Sequence, residues 1–363
     1  MKNDQYYMTI ALELAASAKG KTNPNPLVGA VIVKDGAIVG TGLHRKAGEP
    51  HAEVHAFRMA GEHAKDATLY VTLEPCSHYG KTPPCANLVK DSGVKRVVVA
   101  MQDPNPEVAG RGINLLREAG IEVEIGVLEQ DALRLNERFI HNMVAKRPFI
   151  ISKFAMTLDG KIATASGHSQ WITGEEARAD VHELRDEVDG ILVGVGTVLK
   201  DNPALTTRLL DRKGKNPTRI VLDRTLRTPL DAQITQTEVA PTIIVTARGN
   251  EERSKQYTGV KFIFVSVKEG RLDINEAVMA LYEVGITDIL VEGGGTVNAA
   301  FLRAKLIDKF FVYVAPKVLG GANSITPFTG EDVEMIDAAM HLTFENVEKI
   351  GEDLRITAYP KRG

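Results

Sequence analysis

The sequence predicts an α/β protein built from two domains. Runs of β-branched apolar residues alternate with amphipathic segments, which is typical of a sheet with helices packed on it. The length of 363 residues suits about two domains. The strand–helix pattern also restarts after a break near Pro148. A chain of this size can bury a core in each domain without disulfides.

The first domain is expected to span 1–146. It opens with a helix, because apolar residues recur at three- and four-residue steps from Tyr7 to Ala18. The Asn23-Pro-Asn-Pro26 cluster ends this pattern, and Lys34-Asp-Gly36 predicts a hairpin turn. The remaining elements are expected, in order, as strands Leu27–Val33 and Ala37–Gly42, helix Ala52–Ala60, strand Thr68–Thr72, helix Ala86–Ser92, strand Arg96–Met101, helix Ile113–Ala119, strand Val123–Val127 and helix Asp131–Val144.

The second domain is expected to span 147–363, after a boundary at Ala145-Lys-Arg-Pro148. It begins with the apolar run Phe149–Phe154. The later strands are expected at Ile191–Val195, Arg219–Asp223, Thr242–Thr246, Lys261–Val265, Asp288–Val291 and Phe310–Val314, and the helices at Glu175–Glu187, Ile274–Glu283 and Val297–Lys305. We find no internal repeat and no low-complexity segment.

The composition excludes several classes of protein. Lys and Arg number 44 against 47 Asp and Glu, and the resulting net charge of −3 argues against a protein that wraps duplex nucleic acid. Cys76 and Cys85 are the only cysteines, so a disulfide framework is excluded. The polar N-terminus shows no secretory signal, and no apolar run approaches the ~18–20 residues of a membrane span. We therefore expect a soluble, cytoplasmic protein that binds neither nucleic acid nor membrane, and we also expect a homo-oligomer.

A zinc site is predicted in the first domain. His51-Ala-Glu53 opens an expected helix, Cys76 follows a strand, and Cys85 begins the next helix. One His and two Cys leave a fourth position for water, which is the pattern of catalytic rather than structural zinc. Zinc would make that water more acidic, and Glu53 could carry its proton to a departing ammonia. This layout matches the H-x-E and P-C-x-x-C signature of base deaminases.

One feature departs from that signature. Eight residues, 77–84, separate the two cysteines instead of two, and they include His78 and Lys81. The basic insertion suggests contact with a substrate phosphate, and His44 and His78 lie in loops that could face the site. Three alternatives remain: a structural zinc site, a nucleic-acid base deaminase, and a zinc-stabilised binding protein without catalysis. The net charge weighs against the second alternative, and Glu53 weighs against the third.

A nucleotide-binding segment is predicted in the second domain. Val291-Glu-Gly-Gly-Gly-Thr296 follows a strand and opens a helix, where backbone N–H groups can hold phosphate. Neither this segment nor Gly194-Val-Gly196 completes the G-x-G-x-x-G fingerprint, so a classical dinucleotide fold is not indicated. A tight turn remains the alternative for the glycines, a core position for Trp171, and a solvated surface for Arg185 and Arg208.

Several longer motifs point to one family. They are Asn23-Pro-Asn-Pro-Leu-Val-Gly29, His51-Ala-Glu53, Thr72-Leu-Glu-Pro-Cys-Ser-His-Tyr-Gly-Lys-Thr-Pro-Pro-Cys85, Asp103-Pro-Asn-Pro106, Thr157-Leu-Asp-Gly-Lys161, Ser169-Gln-Trp171, Gly194-Val-Gly-Thr197, Asp201-Asn-Pro203 and Glu292-Gly-Gly294. Over nearly its whole length the chain resembles the bifunctional riboflavin-biosynthesis deaminase–reductases of bacteria. The resemblance implies a cytidine-deaminase-like first domain and a dihydrofolate-reductase-like second domain.

The resemblance also implies two successive reactions. The first is zinc-dependent deamination of 2,5-diamino-6-(5-phosphoribosylamino)pyrimidin-4(3H)-one. The second is reduction of the ribosyl side chain to ribityl by NADPH, which gives 5-amino-6-(5-phosphoribitylamino)uracil. In the first domain the resemblance assigns zinc to His51, Cys76 and Cys85, proton transfer to Glu53, and substrate contacts to Asn25, His44, Lys81 and Asn105.

Site residues of the second domain follow from the same resemblance. Cofactor contacts are implied for Ala155, Trp171, Thr197, Asp201, Gly294, Gly295, Thr296, Val297, Asn298, Ala299 and Ala300. Substrate contacts are implied for Ser169, Arg185, Leu205, Arg208 and Glu292. Lys153 and Asp201 are candidates for assisting ribose ring opening or proton transfer. Arg224 departs from the small hydroxyl residue often found there in the family, and it could pair with the 2′-phosphate of NADP.

Overall fold

The chain folds into two compact units, Met1–Lys146 and Arg147–Gly363, in a computed structural model. The structure describes residues 3–77, 84–105, 109–330 and 332–361. Within these residues, no helix has both the length and the apolar character needed to cross a bilayer.

The first unit is a five-stranded sheet covered by helices on both faces. Its elements in chain order are α1 (Asp4–Ala16), β1 (Gly29–Lys34), β2 (Ala37–Leu43), α2 (Ala52–Ala60), β3 (Thr68–Leu73), α3 (Cys85–Asp91), β4 (Arg96–Met101), α4 (Arg111–Glu118), β5 (Glu122–Ile125), α5 (Glu129–Leu135) and α6 (Glu137–Ala145). The strand order is β2-β1-β3-β4-β5, in which β3, β4 and β5 run parallel and β1 is antiparallel to both neighbours.

Alternation along β1 divides the core of this unit between the two faces. Ala30 and Ile32 pack with α2 on one face, whereas Val31 and Val33 pack with α1 on the other. Successive side chains of a strand point to opposite faces, so a fully apolar strand requires cover on both sides. The segment that follows the carboxyl end of β3 lies next to the start of α2.

The single helix expected over Asp131–Val144 is wrong, because the structure contains two helices that meet at Asn136. The Asn136 side chain is buried and forms two hydrogen bonds with the backbone of Leu27. Its Oδ1 accepts from Leu27 N at 2.8 Å, and its Nδ2 donates to Leu27 O at 3.0 Å. This pairing with a residue far away in the sequence fixes Asn136 where helical geometry is interrupted.

The second unit is built on a nine-stranded sheet. Its elements in chain order are β6 (Phe149–Thr157), α7 (Glu175–Glu187), β7 (Gly190–Gly194), α8 (Val195–Asp201), β8 (Thr218–Leu222), β9 (Thr242–Ala247), α9 (Glu251–Ser254), β10 (Lys261–Val265), β11 (Val267–Lys268), β12 (Arg271–Leu272), α10 (Ile274–Glu283), β13 (Asp288–Val291), α11 (Gly295–Arg303), β14 (Lys309–Ala315), β15 (Leu342–Ile350) and β16 (Asp353–Pro360). The sheet order is β10-β9-β8-β7-β13-β6-β14-β16-β15.

Seven strands of this sheet are parallel, and the last two are antiparallel. The antiparallel pair β15 and β16 was not expected from the sequence. The sequence did contain a signal for this hairpin, because segments rich in β-branched and aromatic residues lie on both sides of Gly351. In the structure Gly351 adopts a positive φ of 60°. The parallel strands place their carboxyl ends along one edge, which is where open α/β sheets bind ligands.

Candidate active sites

The start of α2 is positioned by glycines in β2. A Cβ at Gly42 would lie 2.0 Å from the Ala52 carbonyl oxygen, and one at Gly40 would lie 2.3 Å from the Ala56 carbonyl oxygen. Only glycine therefore allows α2 to lie this close to the strand. His51 immediately precedes the helix in an extended conformation, and its side chain forms no capping hydrogen bond with the helix.

The three residues predicted to bind metal lie together. His51 Nδ1 is 3.6 Å from Cys76 Sγ and 3.3 Å from Cys85 Sγ, and the three donor atoms all lie within 4.8 Å of one another. Cys85 N donates to Cys76 Sγ at 3.3 Å at the start of α3. One nitrogen and two sulfur atoms in this arrangement fit a zinc ion bound through Nδ1.

The protonation of the two thiols supports the same interpretation. Hydrogen bonds from Cys85 and His51 lower the pKa of Cys76 to about 4, although burial opposes this shift. The pKa of Cys85 is raised, because it donates to the Cys76 sulfur and is itself buried. Cys85 therefore stays protonated beside the Cys76 thiolate unless a cation compensates the second negative charge. A divalent metal supplies that compensation.

Glu53 lies in the first turn of α2, beside these ligands. Its side chain is 3% exposed, and burial raises its pKa to about 6. Its Oε2 has no hydrogen-bond partner among the residues that the structure describes. A buried carboxylate with an uncommitted oxygen next to a metal site fits a group that takes up and releases a proton.

A cavity of about 560 Å³ is lined by His51, Cys76 and Glu53. The expected substrate residues Asn25, His44 and Asn105 lie in its wall. His44 Nε2 is 3.0 Å from Asn25 Nδ2, and His44 Nδ1 is 3.3 Å from Pro50 O. Because the Asn25 amide donates, Nε2 accepts and Nδ1 carries the hydrogen. Burial lowers the pKa of His44, which favours this neutral ring.

Sequence reasoning did not identify several residues of this wall as site residues. Phe139 and Met143, one turn apart on α6, provide an apolar surface, whereas Glu49 and Asp103 provide carboxylates. The four-residue spacing of Phe139 and Met143 was a detectable signal. Lys81 and His78 fall in 78–83, outside the described residues, so their expected contacts remain predictions.

A cluster of three charged side chains occupies the second unit. Lys153 on β6 donates to Glu292 Oε2 at 2.7 Å. Arg185 on α7 donates to the same carboxylate twice, from Nε to Oε1 at 2.8 Å and from Nη2 to Oε2 at 2.9 Å. The three side chains are each no more than 13% exposed. Two cations thus share one buried carboxylate, which leaves an excess positive charge.

Burial and pairing act in opposite directions on these groups. Burial alone would raise the pKa of Glu292, but Arg185 and Lys153 together hold it well below its ordinary value. Burial lowers the pKa of Lys153 despite the neighbouring carboxylate. The Arg185 guanidinium also donates to Thr206 O at 3.1 Å, so its fork is already engaged within the protein.

His182 lies beside this cluster and was not identified from the sequence. Arg208 N donates to His182 Nδ1 at 3.3 Å, which links α7 to the segment that contains Leu205 and Arg208. Burial, followed by the charges of Arg185 and Arg208, lowers the pKa of His182 to about 4. Arg208 is exposed, whereas the Leu205 side chain is buried in the core.

The glycine segment 293–295, after β13, is tightly packed at Gly293 and open at Gly294. A Cβ at Gly293 would lie 2.5 Å from the Val297 Cβ, whereas nothing lies within 4 Å of one at Gly294. No side chain among the described residues caps α11, which begins at Gly295. Asn298 is buried in this helix, and its Oδ1 has no described partner. These features fit a phosphate at the N-terminus of α11.

The other expected cofactor and substrate residues surround the same sheet edge. Ala155 lies on β6, and Thr197 and Asp201 lie on α8, directly after β7. Ser169 and Trp171 lie in the loop that follows β6. Trp171 is 63% exposed with the Arg178 guanidinium 4.6 Å from its ring centre, so a core position is wrong. Lys317 Nζ donates to Trp171 O at 3.0 Å and fixes this loop.

Comparison with known proteins matches both units. The family model "RibD C-terminal domain" matches residues 148–356, and "Cytidine and deoxycytidylate deaminase zinc-binding region" matches residues 1–101. The riboflavin biosynthesis protein RibD of Bacillus amyloliquefaciens is 48% identical over 361 residues, 99% of this chain and 97% of that protein. The chain belongs to the RibD family. Its expected family and fold class are confirmed.

Solved structures of RibD agree. RibD of Acinetobacter baumannii (form 1) has a TM-score of 0.88 at 41% identity and covers 99% of both chains. A Thermotoga maritima protein described as a diaminohydroxyphosphoribosylaminopyrimidine deaminase/5-amino-6-(5-phosphoribosylamino)uracil reductase has a TM-score of 0.88 at 40% identity, also covering 99% of both chains. This RibD-family chain is therefore a bifunctional enzyme of riboflavin biosynthesis, a deaminase and a reductase, as the sequence predicts.

Proposed function

We propose that the first unit removes the 2-amino group of 2,5-diamino-6-(5-phosphoribosylamino)pyrimidin-4(3H)-one. The observation that carries this proposal is the His51, Cys76 and Cys85 cluster beside the buried Glu53, at the base of a cavity. A zinc ion bound there supplies an activated water. In the deamination the oxygen of such a water would replace the 2-amino nitrogen at C2 of the ring as the new carbonyl oxygen, and that nitrogen would leave as ammonia.

The chain's own residues account for orientation and proton transfer. Glu53 takes a proton from the attacking water and delivers it to the leaving nitrogen. Asn25, with His44 as its fixed hydrogen-bond partner, and Asn105 recognise the polar edge of the pyrimidine. Phe139 and Met143 cover the face of the ring. Lys81 holds the ribose phosphate, as the sequence predicts.

For the second unit we propose reduction of the ribosyl group of the deaminated product. NADPH, when bound, supplies the hydride. The N-terminus of α11 holds a cofactor phosphate, and Ala155, Trp171, Thr197 and Asp201 complete the cofactor wall. Lys153, whose pKa burial lowers, donates a proton to the ribose ring oxygen as the ring opens at C1′.

The substrate phosphate in this unit is assigned to Arg208. Nε and Nη2 of Arg185 donate hydrogen bonds to Glu292, and Nη1 donates to Thr206 O. Arg208 is exposed and donates only to Thr206 Oγ1, at 3.3 Å, among its described side-chain contacts. Arg185 and Glu292 therefore orient Lys153 and the ribose, and Arg208 meets the anion.

The test uses the full chain loaded with zinc. Zinc content, ammonia release from the phosphoribosylaminopyrimidine, and NADPH oxidation are measured in turn. We expect about one zinc per chain, ammonia release that a chelator abolishes, and NADPH oxidation only after deamination. Ammonia release without zinc, or oxidation of NADPH by the undeaminated substrate at an equal rate, would contradict the proposed order and mechanism.

A further inference from the structure

Glu74 is a buried carboxylate that no motif assigns to zinc, substrate or proton transfer. It directly follows β3, two residues before Cys76, and its side chain is in the cavity wall with 4% exposure of the residue. Its backbone N–H donates to Met101 O at 3.0 Å, which extends the pairing of β3 with β4. The carboxylate is thus fixed beside the metal ligands by the sheet itself.

Four backbone N–H groups donate to this carboxylate. Glu74 Oε2 accepts from Asp103 N at 3.2 Å and from Gly110 N at 2.9 Å. Glu74 Oε1 accepts from Gly112 N at 2.9 Å and from Ile113 N at 3.3 Å. Each oxygen therefore serves two donors, and the donors belong to the turn after β4 and to the first turn of α4.

Gly112 allows the start of α4 to lie close to Glu74 and Pro75. A Cβ there would lie 2.2 Å from the Pro75 carbonyl oxygen and 3.2 Å from Glu74 Oε1. The start of α4 thus rests directly on the Pro75 backbone, one residue before Cys76. The spacing between α4 and the metal-ligand segment has little room to change.

The segment held in this way includes part of the cavity wall. Asp103 and Asn105 both line the cavity, and Asn105 N donates to Asp103 Oδ1 at 2.9 Å, which fixes the turn internally. Glu74 then ties this turn, through Asp103 N, to the strand end that leads to Cys76. Besides the pairing of β3 with β4, this side chain therefore links the metal-ligand segment to the turn that carries Asn105.

We propose that Glu74 is a positioning residue that sets the pyrimidine-binding wall, residues 103–105, relative to the zinc ligands. The proposal rests on the zinc-dependent deamination described above. Glu74 does not touch the reacting atoms. It accepts hydrogen bonds from the backbone that carries Asn105, so its loss weakens substrate binding without removing the metal.

The test is Glu74→Gln in the full chain. Gln has the same size but presents an NH2 group to two backbone donors, so one of the two held segments must move away. We expect KM for the phosphoribosylaminopyrimidine to rise about tenfold or more, with kcat changed less, because unpairing buried N–H groups costs about a factor of ten or more. Zinc per chain should remain at the wild-type value.

Glu118→Gln is the matched control. Glu118 is exposed at the far end of α4, the helix whose start contacts Glu74, so this variant removes a carboxylate charge near that helix without touching the cavity. Its KM should equal that of the wild type.

Gly112→Ala changes the distance between α4 and the metal-ligand segment without altering Glu74, because its Cβ must push α4 away from Pro75. It should raise KM while leaving the Glu74 carboxylate intact.

Hydrogen exchange gives a readout that does not depend on turnover. In Glu74→Gln the two amides that face the new NH2 group, either 103 and 110 or 112 and 113, should exchange faster, whereas those of α2 should not. A wild-type KM or unchanged exchange in Glu74→Gln overturns the positioning role. So does loss of zinc from both Glu74→Gln and Gly112→Ala, because Glu74 then stabilises the metal site. Absence of ammonia release from the wild type would instead contradict the deaminase mechanism, and the exchange data would still decide this proposal.

Discussion

The Lys153 ammonium on β6 lies 2.7 Å from the carboxylate of Glu292, which directly follows the adjacent parallel strand β13. Val291 pairs with Ser152 in the ladder between β13 and β6, so the next residue on each strand brings these two side chains together. Arg185 binds the same carboxylate from α7. The strand register therefore creates a buried cluster with one more positive charge than negative, in which burial and the neighbouring Arg185 charge lower the pKa of Lys153.

Lys153→Met should abolish reduction while preserving the fold of the second unit. Methionine keeps the length of the side chain, and Arg185 and Glu292 remain as a balanced pair. We expect the rate of NADPH oxidation with deaminated substrate to fall by about 10²–10⁴-fold if Lys153 donates the proton. Urea unfolding followed by the fluorescence of Trp171, the one tryptophan of the chain, should be close to that of the wild type. A variant that retains near-normal reduction would rule out this proton transfer.

Glu292→Gln should behave differently from Lys153→Met. The carboxylate that both cations share disappears, and two buried positive charges face a neutral amide. Removing one partner from a buried ion pair typically costs about 3–5 kcal/mol, so the free energy of unfolding should fall by an amount of that order. The Trp171 unfolding curve measures this loss. Equal stability of the two variants would show that Lys153 and Arg185 are not held by Glu292.

Glu53→Gln should keep zinc and stop deamination. Glutamine preserves the size of the side chain but cannot accept and return a proton, and such general acid–base work accounts for about 10²–10⁴-fold in rate. Zinc per chain and ammonia release are measured together, and reduction of deaminated substrate is the internal control. Loss of zinc, or near-normal ammonia release, would contradict the assigned role.

The metal ligands could be predicted because their signal is local. His51, Cys76 and Cys85 are soft or borderline ligands, each next to an expected strand or helix end, and the structure brings all three together. The α/β class and the alternation of strands and helices were likewise predictable from periodicity. Residues assigned by resemblance alone, such as Ser169 and Thr197, occupy loops and helix starts at the expected sheet edge but remain predictions.

Features that depend on distant partners could not be predicted. Asn136 interrupts a helix because it binds the backbone of Leu27, 109 residues away. Glu74 looks like an ordinary residue of a strand end until its four backbone donors, 29 to 39 residues later, are in place. The resemblance named Arg185 as a substrate residue, but only the fold shows that its guanidinium faces Glu292. Sequence patterns carry residue type and period, whereas these roles come from tertiary packing.

We expect the reductase to prefer NADPH over NADH through Arg224. This side chain is exposed after β8, and no ion pair to it is seen among the described residues, whereas nearby Arg248 pairs with Glu276. A charge-assisted bond to the 2′-phosphate is worth about 1.5–3 kcal/mol, so Arg224→Ala should lower kcat/KM for NADPH by roughly 10- to 100-fold. The value for NADH should not change.

Arg227→Ala, which removes an exposed arginine three residues further on, is the control for charge. Equal kcat/KM for NADPH and NADH in the wild type would refute the cofactor preference itself. An unchanged ratio in Arg224→Ala would refute only the assignment to this residue.

His182 should make the second unit less stable in mild acid. Burial and the charges of Arg185 and Arg208 hold its pKa at about 4 in the fold, against about 6.5 in the unfolded chain. As the pH falls through this window, the unfolded chain takes up a proton that the folded ring refuses. The free energy of unfolding therefore decreases between pH 6.5 and 4, by roughly 1–2 kcal/mol after allowance for solvent screening of a half-buried ring.

His182→Asn isolates this contribution, because asparagine keeps an acceptor for Arg208 N but does not titrate. Urea unfolding followed by Trp171 fluorescence at pH 7 and pH 4.5 should show a smaller acid loss in the variant than in the wild type. Carboxylates elsewhere titrate equally in both proteins, so the difference between them reports on the imidazole. The same pH dependence in both would mean that His182 is protonated in the fold, and the link between α7 and the Arg208 segment would then need another acceptor than Nδ1.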